Sequence, residues 1–167
     1  MAGLDEIRER MAAFLTEQGL DAVTAWPERR RTRREGAAAA VSLRSCEGGP
    51  AGFQDYLGER YNQETGRWEE LYGRRVKITF GLDLYAARSS GGAAAVDRAL
   101  DTLSAALSGP GPDGLSILEF SAGETQFQED SQLYHCPVEA VCQARLYAVA
   151  DEGGAFLDFE IRGERTT

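Results

Sequence analysis

The alternation of apolar and polar residues between Val76 and Tyr85 restricts the fold more than any other feature of the sequence. The apolar set is Val76, Ile78, Phe80, Leu82 and Leu84, and the intervening set is Lys77, Thr79, Gly81, Asp83 and Tyr85. Successive side chains of a strand point to opposite faces, so this pattern predicts a long strand with one apolar face. The strand therefore belongs in a sheet whose apolar face is covered by another layer.

Two segments with helical spacing can supply that layer. From Leu4 to Gln18 the apolar residues lie on one side of a helix, and Gly19 is well placed to end it in a left-handed conformation. From Ala93 to Leu107 the spacing recurs, with small Ala99 and Ala106 allowing close packing on a sheet. The apolar positions are Leu4, Ile7, Met11, Phe14 and Leu15 in the first helix and Val96, Leu100, Leu103 and Leu107 in the second.

A run of arginines lies between two short predicted strands. Ala22 to Trp26 and Ala37 to Arg44 are expected to pair as a hairpin, and the run at its tip contains Arg29, Arg30, Arg31, Arg33 and Arg34. A run of this charge does not belong in a core. It is either a solvated tip, a docking element for an acidic neighbouring subunit, or a DNA contact in the channel of a ring, since guanidinium groups bind both carboxylates and phosphates.

The stretch from Gly48 to Gly73 has no regular period and is interpreted as an insertion or extended loop in a single domain of residues 1–167. Long irregular segments in compact domains usually have a function. Tyr, Trp and Arg are enriched at protein interfaces, so the aromatics join the arginine run as candidate interface residues. Those aromatics are Phe53, Tyr56, Tyr61, Trp68 and Tyr72.

The C-terminal half adds further strands. Leu115 to Phe120 is expected to form one, a polar turn or excursion runs from Glu124 to Asp130, and Val138 to Ala150 alternates as a second long strand. A turn at Asp151 to Gly154 then pairs it with Leu157 to Ile161. Strands and helices do not recur as units of a parallel sheet, so the fold expected is α+β, an antiparallel sheet with both helices on one face plus the aromatic-rich insertion.

Charge and hydropathy limit the partners. The formal net charge of -9 comes from 27 acidic and 18 basic side chains, and it repels nucleic-acid phosphates over most of the surface. No apolar run has the roughly 20 residues that cross a bilayer, and the N-terminus has no signal-peptide core. We therefore expect a protein made in the cytoplasm, with no membrane contact and no nucleic-acid contact except DNA passing through a ring.

The sequence contains no recognisable catalytic or cofactor set. His135 is the only histidine, and the three cysteines do not have the paired spacing of a zinc site, so Cys46, Cys136 and Cys142 are expected to be reduced, structural thiols. His135 and Cys136 are adjacent on an extended chain and would point to opposite faces. We expect no metal, no cofactor and no enzymatic activity.

One enzymatic hypothesis remains, that the chain is a hydrolase that uses two carboxylates. It would draw on the acidic residues Glu69, Glu70, Glu119, Glu124, Glu129 and Asp130, which are otherwise expected to be solvated.

Three stretches carry a family resemblance. They are Phe53-Gln54-Asp55-Tyr56-Leu57-Gly58, Arg67-Trp68-Glu69-Glu70-Leu71-Tyr72-Gly73 and Ala148-Val149-Ala150-Asp151-Glu152-Gly153-Gly154. Together with the order of elements, they make the chain resemble small tail-assembly proteins of prophages from gut Firmicutes, of the tail terminator type. The resemblance implies a subunit of a hexameric ring that caps the tail tube, and it implies no catalytic residues.

The expectation is thus a structural tail protein that binds copies of itself and other tail proteins, in the cytoplasm during assembly and in the virion tail afterwards. The segment from Gly48 to Gly73 departs from the minimal terminator pattern, so a head-completion, connector or baseplate-proximal position is the alternative. A monomeric peptide-binding module is the alternative from another class.

Overall fold

The computed structural model describes residues 4–24, 36–50, 56–151 and 156–162. This part of the chain is α+β, with two helices and a nine-stranded, mostly antiparallel mixed sheet. The helices are α1 (Leu4–Glu17) and α2 (Gly92–Ser108). The strands are β1 (Asp21–Val23), β2 (Ala38–Pro50), β3 (Tyr56–Asn62), β4 (Arg67–Ala87), β5 (Leu115–Ala122), β6 (Gln126–Gln128), β7 (Leu133–Cys136), β8 (Val138–Asp151) and β9 (Phe156–Arg162).

Strand β4 is the centre of the sheet, and its 21 residues pair with four other strands. Along one edge it pairs first with β3 and then with β2, whose Ala38 lies opposite Tyr85. Along the other edge it pairs with β8 and then with β7. Strand β8 in turn pairs with β5 and β9 on its far side. The alternation from Val76 to Tyr85 thus predicted the second half of a strand that begins at Arg67.

The core lies between one face of this sheet and the two helices. The apolar set of β4 from Val76 to Leu84 is buried, and it shares one core with residues of both helices. α1 packs on β1 and β2, whereas α2 packs on β4, β5 and β7. The helix residues buried there include Ile7, Met11 and Leu15 of α1 and Val96, Leu103 and Leu107 of α2. The prediction that both helices lie on one face is confirmed.

The predicted hairpin of the first two strands is wrong. β1 and β2 are parallel, with Asp21 opposite Ala38 and Val23 opposite Ala40. A hairpin joins antiparallel strands, whereas parallel neighbours need a crossover of a dozen or more residues. The arginines Arg29, Arg30, Arg31, Arg33 and Arg34 lie between β1 and β2 in the sequence, in a segment outside the described residues.

The predicted irregular insertion from Gly48 to Gly73 is also wrong in its described parts. Gly48 belongs to β2. Residues 56–62 form β3, and residues 67–73 form the first part of β4. The two are antiparallel and are joined by a turn at residues 63–66. Polar residues inside the strands interrupt the period, because the described side chains in this part of the sheet do not belong to the apolar core. Phe53 lies outside the described residues.

The other predicted elements are present with small changes of boundary. Gly19 follows α1 with a φ of 96°, in the left-handed region that ends helices. The polar excursion after β5 contains the short strand β6, and β8 and β9 pair as predicted. Cys136 and Cys142 are buried in the core, where burial raises the pKa of Cys142 to about 12, and Cys46 is exposed. Neither described helix is long and apolar enough to cross a membrane.

Candidate functional site: an aromatic and acidic sheet face

The candidate site lies on the hairpin that β3 forms with the beginning of β4. Its turn is built by Asn62, whose side-chain oxygen accepts hydrogen bonds from the backbone N–H groups of Glu64 (2.9 Å) and Thr65 (3.3 Å). Gly66 completes the turn with a φ of 67°, a conformation that glycine adopts without strain. The core residues of β4 begin only at Val76, so the hairpin extends beyond the helix-covered part of the sheet.

A β-bulge places four aromatic side chains on one face of this hairpin. Tyr56 pairs with Tyr72 and Tyr61 pairs with Trp68. The two tyrosines are five positions apart, a spacing that places side chains on opposite faces of a regular strand. The register shift between Tyr56 and Gly58 inserts one extra residue and so returns Tyr56 to the face of Tyr61. Gly58 has a φ of 129°, which other residues rarely adopt. The glycine therefore allows the bulge that assembles this face.

The aromatic rings form two edge-to-face pairs. The ring centroids of Tyr56 and Tyr72 are 5.5 Å apart, and so are those of Tyr61 and Trp68. Such pairs add about 1 kcal/mol each beyond their burial, so they hold the rings in place. The rings nevertheless remain open to solvent, with exposed fractions of 44% for Tyr56, 51% for Tyr61 and 49% for Trp68.

Two carboxylates lie between the aromatic pairs. Glu59 and Glu70 are directly opposite each other on the same face, and like charges in that position destabilise a sheet. Among the described side chains, none that is basic forms an ion pair with either of them. We call the surface formed by Tyr56, Glu59, Tyr61, Trp68, Glu70 and Tyr72 the aromatic–acidic face.

The tyrosine hydroxyls respond to this negative charge. Tyr72 donates a hydrogen bond of 2.8 Å to Glu70 Oε2, and this bond raises the pKa of Tyr72. Partial desolvation and then the carboxylates of Glu59 and Glu70 raise the pKa of Tyr56. Both phenols therefore stay neutral at physiological pH, and the face keeps a net negative charge.

The opposite face of the hairpin is held by a buried ion pair. Glu69 is only 5% exposed, and its Oε2 accepts hydrogen bonds from Arg60 Nε (3.0 Å) and Nη2 (2.9 Å). Its Oε1 accepts a hydrogen bond of 2.6 Å from Asn62 Nδ2. This arrangement links the two strands on the side away from the aromatic rings, so it fixes the hairpin that presents them.

A second polar group lies on the open face of the sheet, and sequence reasoning missed it. His135 Nε2 is 2.9 Å from Asp83 Oδ1, and Arg44 donates a hydrogen bond of 2.7 Å to Asp83 Oδ2. The His135 ring stacks on Tyr85 at 4.6 Å, and its Nδ1 is 3.2 Å from Gln128 Nε2. Both carboxylate oxygens and both ring nitrogens have protein partners, which is the arrangement of a structural network.

The structure brings only part of the predicted site together. Tyr56, Tyr61, Trp68 and Tyr72 share one face, whereas Phe53 and the arginine run lie outside the described residues. His135 and Cys136 do point to opposite faces, since Cys136 lies in the core. Of the acidic residues considered for hydrolysis, Glu69 is buried against Arg60, and Glu119, Glu124, Glu129 and Asp130 are exposed.

Comparison of the sequence with protein-family models and with curated proteins identified no relative. No protein-family model matches the chain, and no curated protein is detectably similar to it. In the described part of the chain, no group of three or more His, Cys, Asp and Glu side chains is arranged to hold a metal ion. The aromatic–acidic face is therefore the feature on which a functional proposal has to be built.

Proposed function

We propose that this chain is a structural subunit of a phage-type tail, a tail terminator-like protein that assembles into a ring through protein–protein contacts. The aromatic–acidic face carries the proposal. Tyr and Trp are the residue types that most often dominate binding energy at interfaces, and here they are pre-positioned by edge-to-face pairing. Their exposure would be costly in a chain that acted alone, since solvent contact with large rings is unfavourable.

The position of the face supports contact with another subunit. It lies on the part of the sheet beyond the helices, where a neighbouring protein can approach both strands. Its side chains need little reordering on binding, because the rings are already paired and Tyr72 is already bonded to Glu70. Pre-organised rings lose little conformational entropy when a partner covers them.

The assignment to a tail rests on the sequence resemblance, and gene order tests it. We expect genes for a portal, a tail tube and a tape measure to flank the gene for this chain. A position next to the portal gene would favour the connector alternative. A position in a metabolic operon would contradict any tail function.

Replacing Tyr61 and Trp68 together by alanine is expected to weaken self-association about 100-fold, since two interface rings at about 1.4 kcal/mol each account for that factor. The monomer should remain folded, because both rings are about half exposed and lie away from the core. Molar mass from light scattering over a concentration series measures the association, and circular dichroism checks the fold.

The matched control is the double substitution of Leu118 and Phe120 by alanine on β5. These residues are also exposed, at 52% and 36%, but they lie outside the aromatic–acidic face. Their removal should leave the oligomer unchanged. A Tyr61 and Trp68 variant that associates as tightly as the natural chain would contradict the proposed interface.

A further inference from the structure

The arginine run and the aromatic–acidic face have opposite charges. Five of the 18 basic residues lie between positions 29 and 34, in a chain whose net charge is -9. The aromatic–acidic face combines Glu59 and Glu70 with four aromatic rings. Guanidinium groups bind carboxylates through paired hydrogen bonds and also stack on aromatic rings, so this face has the chemistry that arginine side chains recognise.

The described residues that flank the arginine run lie toward one end of the central strand, and the aromatic–acidic face lies at the other end. The segment that contains the arginine run begins after Thr24, which directly follows β1, and ends before Gly36, which lies two residues before β2. Val23 is level with Ala40, which lies opposite Asp83, and Ala38 lies opposite Tyr85. Glu70 is 13 residues before Asp83 in the same uninterrupted strand. At about 3.3 Å per residue the separation along β4 is about 40 Å.

An arginine of the same chain falls short of that distance. Each member of the run is at most six residues from Thr24 or from Gly36 in the sequence. Even a fully extended chain of six residues spans only about 20 Å. An arginine side chain is too short to span the rest of the distance to the aromatic–acidic face. A contact between the run and the aromatic–acidic face of one molecule is therefore excluded by chain length.

We propose that the occupant of the aromatic–acidic face is the arginine run of a second copy of this chain. The inference rests on the proposed function and specifies its contact. Because the two complementary features are different and cannot meet within one molecule, each subunit uses its arginine run toward one neighbour and its aromatic–acidic face toward the next. Such a head-to-tail contact closes into a ring when the rotation between subunits is suitable.

Arginine guanidinium groups of the neighbour lie between the aromatic pairs and neutralise Glu59 and Glu70. This removes the like-charge repulsion between the two carboxylates, which the isolated chain retains. The contact involves only these two carboxylates, so the other acidic residues of the surface stay in solvent. Self-association should consequently weaken as salt concentration rises, since screening reduces the attraction between the two charged elements.

A mixing experiment tests the contact. One variant carries Glu59→Lys with Glu70→Gln, which blocks the face, and a second carries Arg29→Gln, Arg30→Gln and Arg31→Gln, which blocks the run. Each variant alone should associate at least about 10-fold more weakly than the natural chain. A mixture should form a one-to-one heterodimer and nothing larger, because only one face and one run remain functional in each pair.

Charge-matched variants control for the loss of charge itself. Glu124→Lys with Glu129→Gln matches the charge change of the first variant, and Arg75→Gln with Lys77→Gln and Arg98→Gln matches that of the second. All five residues are exposed and belong to neither feature. These variants should assemble like the natural chain. An arginine variant with an unchanged oligomer, or a mixture that forms no heterodimer, would overturn the contact.

The outcomes separate this inference from the function on which it rests. If the Tyr61 and Trp68 variant fails to assemble while the arginine variant assembles normally, the face is an interface but the arginine run is not its occupant. If the natural chain stays a monomer at every concentration, both the proposed ring and the contact are wrong.

Discussion

Replacing Phe80 by alanine is expected to lower the free energy of unfolding by about 3–5 kcal/mol, the largest effect of any single change considered. Phe80 is fully buried on the helix-covered face. Its partners on the two adjacent strands are Leu43 of β2 and Ala140 of β8. Truncation leaves a cavity at the middle of the sheet, which the long paired strands are poorly able to close. Urea unfolding measures the effect as a lower midpoint with an unchanged slope.

Phe120→Ala is the matched control for that prediction. Phe120 is on β5 and lies opposite Ala140, but it is 36% exposed at the edge of the sheet. Its removal should cost less than about 1 kcal/mol, because little buried area is lost. If Phe80→Ala cost no more than Phe120→Ala, the helices would not cover this face as described.

Replacing Arg60 by alanine is expected to cost about 2–3 kcal/mol and to loosen the hairpin of β3 and β4. The change leaves Glu69 with a buried charge that has lost two hydrogen bonds. Removing one partner of a fully buried pair costs about 3–5 kcal/mol, and the partial exposure of Arg60 lowers that value. Hydrogen exchange of the amides in residues 56–62 should accelerate more than exchange in the core strands.

Two further variants make this prediction decisive. Arg8→Ala breaks an ion pair with Asp5, whose side chain is 90% exposed, and should cost less than about 1 kcal/mol. Adding Glu69→Leu to Arg60→Ala removes the unpaired charge and should recover most of the lost stability. If the double variant were no more stable than Arg60→Ala, the loss of stability in Arg60→Ala would not come from the unpaired buried carboxylate of Glu69.

The elements that the sequence predicted well are those with an apolar face on the core. Val76 to Leu84 and the two helices carry a clear period because alternate or helically spaced positions are buried. The first part of β4 carries none, since Glu69 is buried on one face and Trp68 is exposed on the other. Asn62 and Gly66 were a usable turn signal within the supposed insertion.

Contacts between distant segments were beyond sequence reasoning. The bond between His135 and Asp83 joins residues 52 positions apart, and it depends on the register in which β7 pairs with β4. The parallel pairing of β1 and β2 consists of only three residue pairs, and the three residues of β1 carry no sequence signal that distinguishes the two directions. The aromatic residues were identified from their type, but their common face depends on the bulge at Gly58, which has no pattern of its own.

Cross-linking from the aromatic–acidic face tests the proposed contact between two copies of the chain most directly. A photoreactive phenylalanine analogue replaces Tyr61, and equal amounts of isotope-labelled and unlabelled chains are mixed before illumination. We predict mixed-isotope cross-links that join position 61 of one chain to the segment containing Arg29–Arg34 of another. Cross-links confined to single chains, or none under conditions where the protein is concentrated, would contradict the claim that this face binds a second copy.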